Sequence, residues 1–203
     1  MDSIQKLTEL FKEFPGIGPR QAKRFVYFLL NKNSGYASDL SRLILDVRST
    51  VHSCQMCFRY FPNSKNKICS TCLDVGREKK YIMIVPNDID YENIEKTKFF
   101  NGYYFILGGV VPILEKNPEK KIRQKELLSI ISERIKNGLE EIIISMNYNP
   151  EGENTLSYLK DLLSRFNLDS RVKISTLGRG LSTGTELEYS DSETIKNALK
   201  NRQ

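Results

Sequence analysis

Four cysteines carry the most specific chemical signal in the chain. Cys54-Gln55-Met56-Cys57 and Cys69-Ser70-Thr71-Cys72 form two C-x-x-C pairs separated by eleven residues. Each pair makes a tight knuckle that aims two sulfurs at one point, so two knuckles surround one tetrahedral ion. No cysteine is left over. Two disulfides or an iron–sulfur cluster are the other uses of four cysteines. Disulfides do not suit a reducing cytosol, and the paired spacing favours structural zinc held by Cys54, Cys57, Cys69 and Cys72. A closed four-sulfur shell leaves no position for water, so the expected role is to build the fold. His52 lies close by but is surplus to a complete shell. Arg59, Lys65 and Lys67 stand among Phe58, Tyr60 and Phe61, which reads either as a nucleic-acid face or as the miniature core of the metal module.

The second constellation is Phe14-Pro15-Gly16-Ile17-Gly18-Pro19, followed by Arg20, Lys23 and Arg24. Glycines at 16 and 18 permit close approach to the backbone, and Pro19 presets the first turn of the following helix. Exposed amides of such a turn, together with a helix N-terminus, form a concave donor site for a phosphate oxygen. Lysine and arginine on the next turns extend the contact along a nucleic-acid backbone without reading bases. The pattern looks like a helix-hairpin-helix DNA-binding motif; the alternative is an ordinary tight connection between helices. Charge placement bears on the choice. Residues 1–80 hold 14 Lys/Arg against 7 Asp/Glu, whereas residues 81–203 hold 17 against 18. The basic excess lies where a phosphate partner would need it.

Composition removes several function classes. The only histidine is His52, which disfavours paired-imidazole zinc proteases and a Ser-His-Asp triad. At 39% hydrophobic and 28% charged residues over 203 positions, the chain is that of a globular protein with length enough for a core. No run approaches the roughly 18 apolar residues of a membrane span. The leading MDSIQKLTEL lacks the layout of a secretory signal. A cytoplasmic protein without a membrane partner is expected.

Helical spacing covers Ile4–Phe14, a second run built on Ala22, Phe25, Val26 and Leu29, and Ala37–Val51 with Leu40, Leu43, Ile44 and Val47 on one inward face. Residues 52–80 lack a long periodic element. Beyond them, Tyr81–Val85, Tyr103–Leu107, Glu141–Met146 and Val172–Leu177 read as strands. Arg123–Asn137, Gly152–Phe166 and Ser190–Lys200 read as helices. Strands alternating with helices predict a parallel α/β sheet. The expected fold class is thus α/β (α+β overall). Its parts are a helix-hairpin-helix region at 1–53, a zinc module at 54–77, an α/β domain at 78–177 and a C-terminal tail and helix at 178–203.

Hairpin, cysteine module and α/β body, in this order and at this length, closely resemble the RecR family of bacterial recombination mediators. Further strings support the likeness: Leu107-Gly108-Gly109, Glu151-Gly152-Glu153, and Arg179-Gly180-Leu181 followed by Gly184 and Glu186-Leu187-Glu188-Tyr189-Ser190-Asp191. The resemblance implies that the α/β body is a Toprim-type domain. It implies a homodimeric or homotetrameric ring in which the helical and zinc modules line a basic opening. It also implies partnership with RecO or RecF in helping to load RecA at single-strand gaps. By motif match, Gly16, Gly18, Arg20, Lys23 and Arg24 become the DNA-binding residues, expected to hold single-stranded/duplex junctions with little sequence preference.

A catalytic Toprim site needs a glutamate after the first strand and paired aspartates after the third, which together hold magnesium. Here Pro86 stands at the glutamate position, and Ser145-Met146-Asn147-Tyr148-Asn149 contains no acid. Asp88 and Asp90 lie two and four residues beyond that position. Where the family's acids recruit RecO, this chain would have to use Asp88, Asp90 or Glu151. The reading is therefore a non-catalytic mediator. A magnesium-dependent Toprim nuclease or nucleotidyl-transfer enzyme is the alternative, and a zinc-stabilised hub that does not touch DNA is a third.

Overall fold

The structure, a computed structural model, describes residues 1–62, 66–166, 171–178, 181, 184 and 186–200. Lys65, Arg179 and Gly180 lie outside the described residues. The chain divides into two units, Met1–Val51 and His52–Gln203.

In the first unit, α1 (Ser3–Lys12) and α2 (Pro19–Leu30) pack against each other, and α3 (Ser34–Thr50) follows. Asp2 caps α1 through Gln5 N–H, and Asn33 caps α3 through Tyr36 N–H; each satisfies a donor that has no intrahelical partner. Ala22 and Val26 are buried, and Phe11 meets Phe25 edge-to-face with centroids 5.7 Å apart. The third helix departs from expectation. Its spacing predicts Leu40, Leu43, Ile44 and Val47 turned inward, yet Leu43, Ile44 and Val47 are each 56% exposed and no α3 residue is buried. Periodicity identifies an apolar face but does not say what covers it.

Strand β1 (Val51–Ser53) spans the division and pairs with β2 (Tyr60–Pro62), and α4 (Ser70–Leu73) follows. The α/β body follows as β3 (Tyr81–Val85), α5 (Asp88–Lys96), β4 (Tyr103–Ile106), α6 (Gln124–Lys136), β5 (Glu141–Ile144), α7 (Pro150–Arg165) and β6 (Lys173–Thr176), with α8 (Ser192–Lys200) last. The sheet order is β4-β3-β5-β6, and all three pairings are parallel, as the alternation of strands and helices predicts.

Both faces of this sheet are covered, which is why β3 reads as an unbroken apolar run. Ile82 and Ile84 pack with Phe105, Ile142 and Ile144 against Leu127 and Ile131 of α6 and Leu159 and Leu163 of α7. Met83 and Val85 point the other way, with Tyr104 and Ile106, against Tyr91 of α5. Each such side chain contributes about 1.5–3 kcal/mol on burial. The start of α7 is fitted tightly against the end of β5: a Cβ on Gly152 would lie 2.0 Å from the carbonyl oxygen of Asn147.

Candidate metal centre and nucleic-acid interface

The two C-x-x-C pairs converge. Among the described residues, the four sulfurs form a buried group with all ligand atoms within 4.8 Å of one another, and Cys57 Sγ lies 3.6 Å from Cys69 Sγ. Tetrahedral ligation with Zn–S bonds of ~2.3 Å requires sulfurs ~3.8 Å apart, so the spacing suits one such ion. The knuckles explain the convergence. Phe58 N–H donates to the Cys54 carbonyl at 3.0 Å, with Phe58 in the left-handed region at φ 62°, and Cys72 N–H donates to the Cys69 carbonyl at 3.1 Å. Cys69 N–H also donates to the Cys54 sulfur at 3.3 Å, a bond that favours thiolate. Mutual hydrogen bonds push the Cys54 thiol down and the Cys57 thiol up. Four buried sulfurs cannot all ionise without a cation, which is the chemistry of a metal-binding set.

The surroundings tie this module to the sheet. Ile106 N–H, on the outer edge of β4, donates to the Cys57 carbonyl at 2.8 Å. Phe58 reaches into the core, with its ring 5.4 Å from that of Phe105. Arg59 donates to Tyr91 Oη at 2.7 Å and Thr71 Oγ1 at 3.1 Å. Phe61 is buried with the cysteines. The aromatic residues at 58 and 61 and the guanidinium of Arg59 are therefore used in packing, which leaves Tyr60 and Lys67 exposed. Arg134, 8% exposed, stacks over Tyr103 at 3.9 Å and lines a cavity with Cys72 and Met56. Burial lowers its pKa, and the negative charge of Cys72 opposes that.

At the carboxyl ends of the strands, the chain reverses direction across the sheet between β3 and β5, where α/β folds place ligands. Pro86 is buried there, and its carbonyl accepts Gly108 N–H at 2.9 Å. Asp88 Oδ1 accepts Tyr60 N–H at 2.7 Å, so it is bound to the metal module. Asp90 is half-buried on the first turn of α5, and its Oδ2 has no hydrogen-bond partner. Glu151 is exposed at the start of α7. Among the described residues these three acids do not converge into a metal-binding group; only the cysteines do.

In the first unit, Gly16 adopts φ 75°, and Ile17 N–H closes the turn on the Phe14 carbonyl at 3.0 Å. A Cβ built on Gly16 or Gly18 would meet nothing of the chain within 4 Å, so the hairpin surface is open. No side chain caps α2, which leaves the Arg20 and Gln21 amides without an intrahelical acceptor. Arg20, Lys23 and Arg24 are all exposed beside them.

Comparison with known proteins fits this layout. A family model for RecR, helix-hairpin-helix, matches residues 4–48, one for the Toprim domain matches 80–177, and one for RecR, C-terminal, matches 180–203. The recombination protein RecR of Bifidobacterium adolescentis is 34% identical over 99% of this chain and 96% of its own length. Those of Chloroherpeton thalassium and Phytoplasma mali are 32% and 34% identical, each over 98% of this chain and over 96% and 94% of their own lengths. The chain belongs to the RecR family. A RecR-family chain is a recombination protein, and the helix-hairpin-helix and Toprim parts read from the sequence are matched by family models, while the clustering of the four cysteines comes from the structure. None of the helices among the described residues is long and apolar enough to cross a membrane.

Sequence reasoning missed α5 and the aromatic side chains Tyr27, Phe28 and Tyr36, which are exposed beside the basic residues. A helical projection of residues 19–30 would have separated Tyr27 and Phe28 from the buried face of α2.

Proposed function

We propose that the chain is a non-catalytic recombination mediator that grips DNA through phosphates. The observation that carries this reading is the open hairpin. Two side-chain-free positions, uncapped amides at the start of α2 and three cations on its first turns form a donor surface with no acidic counterpart. Arg20, Lys23 and Arg24 make no ion pair with any described carboxylate. Such a surface recognises the sugar–phosphate backbone and is indifferent to base sequence.

The four cysteines would hold zinc, which supplies a fixed tetrahedral centre for the knuckles and no reaction step. Exposed Leu43, Ile44 and Val47 on α3 support assembly with further copies, as a homodimer or homotetramer ring. RecO or RecF would dock on the acids at the carboxyl edge of the sheet, with Asp90 and Glu151 better placed than Asp88, whose carboxylate is occupied by Tyr60. In this assembly the protein would help load RecA at single-strand gaps. The Toprim body would serve as scaffold, because Pro86 fills the position from which a metal-binding glutamate would act.

DNA binding should fall steeply as salt rises, since released counterions supply most of the affinity. Arg24→Glu should abolish binding while the melting temperature stays unchanged, because Arg24 is exposed and its one hydrogen bond, to Gln21, is 3.4 Å long. Normal DNA binding by that variant, measured by fluorescence anisotropy, would defeat the hairpin assignment. Incubation with labelled DNA and magnesium or manganese should give no cleavage.

A further inference from the structure

Helix α2 has two unlike faces. Ala22, Phe25, Val26 and Leu29 lie on the side that packs with α1. At ~100° per residue, the opposite side collects Arg20, Lys23, Arg24, Tyr27 and Phe28. An exposed helix face is ordinarily filled with charged and small polar side chains. Here Tyr27 and Phe28 stand 47% and 49% exposed, with Tyr36 of α3 at 43%.

The rings are interleaved with cations. Phe28 and Tyr36 meet edge-to-face with centroids 6.0 Å apart. Lys32 Nζ sits 4.8 Å from the Phe28 centroid and 5.9 Å from that of Tyr36, and Lys23 Nζ sits 6.0 Å from that of Tyr27. Lys23 and Lys32, like Arg20 and Arg24, make no ion pair with a described carboxylate. From Arg20 to Phe28 the strip runs roughly 12 Å along the helix.

The geometry points to a stacking site for unpaired nucleotide bases on Tyr27, Phe28 and Tyr36, continuous with the phosphate contacts of Arg20, Lys23 and Arg24. This rests on the DNA-binding reading of the hairpin and deepens it, by assigning the single-stranded form as the preferred ligand. Aromatic rings gain little from duplex, whose bases are already stacked, whereas every unpaired base offers a π-face. Covering the strip with a second copy of the chain would desolvate four cations that have no ion pair of their own, a costly arrangement. A polyanion with exposed rings complements both features of the strip at once.

The chain contains no tryptophan, so Tyr27→Trp installs a single fluorescent reporter. Its emission should be quenched when a short oligothymidylate binds. An abasic phosphodiester oligomer, or duplex, bound to the same occupancy by anisotropy should leave the emission unchanged. The double variant Tyr27→Ala with Phe28→Ala should weaken oligothymidylate binding about tenfold or more, given ~1–3 kcal/mol per stacked base. Duplex affinity and molar mass should not change, and Tyr27→Phe should bind as the native chain does.

An unquenched reporter with oligothymidylate bound would overturn the stacking site. So would equal losses for single strand and duplex in the double variant. A change in molar mass would show that the strip is a contact between copies and overturn it as well. The hairpin reading fails separately: it falls if Arg24→Glu still binds duplex, while the stacking site is judged on the quench and on the single-strand-to-duplex ratio.

Discussion

Asp88 and Asp90 sit two residues apart on the same helical turn, and the fold treats their carboxylates oppositely. Asp88 holds the backbone of the metal module through Tyr60 N–H. Asp90 keeps one oxygen buried without a partner, and desolvation raises its pKa above the ordinary 3.8 despite the hydrogen bonds from Asn87. A carboxyl whose folded value is raised costs stability once it ionises. That cost is absent below pH 3.8 and complete above the raised value. Asp90→Asn should therefore raise the melting temperature at pH 7, leave it unchanged near pH 3, and weaken RecO or RecF binding if this acid is the docking point; a melting curve at each pH with a pull-down would decide. Glu95 has the opposite sign. Burial alone would raise it, but its ion pair with Arg77 and the charge of Lys98 hold it below 4.5. Its stabilisation is present above pH 4.5 and lost as pH falls through the depressed value. Glu95→Gln should cost about 2 kcal/mol at pH 7, and chemical denaturation should show that difference vanishing in acid. Neither pattern was legible in the sequence, because the Asp90 shift comes from tertiary burial and the partners Arg77 and Glu95 are 18 residues apart.

Among the elements, the cysteine module is the one whose loss should propagate furthest. The outer edge of β4 would otherwise present unpaired backbone groups, and such edges recruit other chains. The Cys57 carbonyl covers this one at Ile106. Cys57→Ser should lower bound zinc below one per chain by atomic emission, depress the melting temperature and promote aggregation. Chelation of the native protein should reproduce all of this. A chelated protein that melts unchanged would remove the metal from the account of stability. The spacing of the cysteines makes this centre readable from the chain alone, since knuckle geometry is local. The strands are readable too: Tyr81–Val85 and the runs near 103 and 141 are apolar because they lie between covered sheet faces, whereas the edge strand at 173–176 shows only through Val172 and Ile174. Helix α5 is not, because Tyr91 is its only buried residue and DIDYENIEK has little apolar periodicity. Its start is marked by Asn87 and two first-turn acids, a weaker signal than a hydrophobic stripe. The short strands β1 and β2, three residues each, take their shape from the knuckles and leave no pattern of their own.

At the scale of the whole molecule, the feature that bears most on assembly is the uncovered face of α3. Leu43, Ile44 and Val47 share one side of the helix and are each more than half exposed, and apolar surfaces of this kind mark association sites. If copies of the chain pair through this surface, each assembly carries several phosphate-binding hairpins, and the second contact becomes intramolecular. Affinity then rises by about 100-fold or more without any new kind of contact. The slope of log affinity against log salt also measures the phosphates engaged, at about −0.9 per phosphate on duplex, so it scales with the number of hairpins in use. Leu43→Asp with Ile44→Asp should reduce the mass seen by light scattering to that of one chain, leave the hairpin intact, and halve the salt slope of a two-hairpin assembly. An unchanged mass would free α3 from this role. A reduced mass with an undiminished slope would mean that one hairpin already makes every phosphate contact, and that assembly serves something other than grip on DNA.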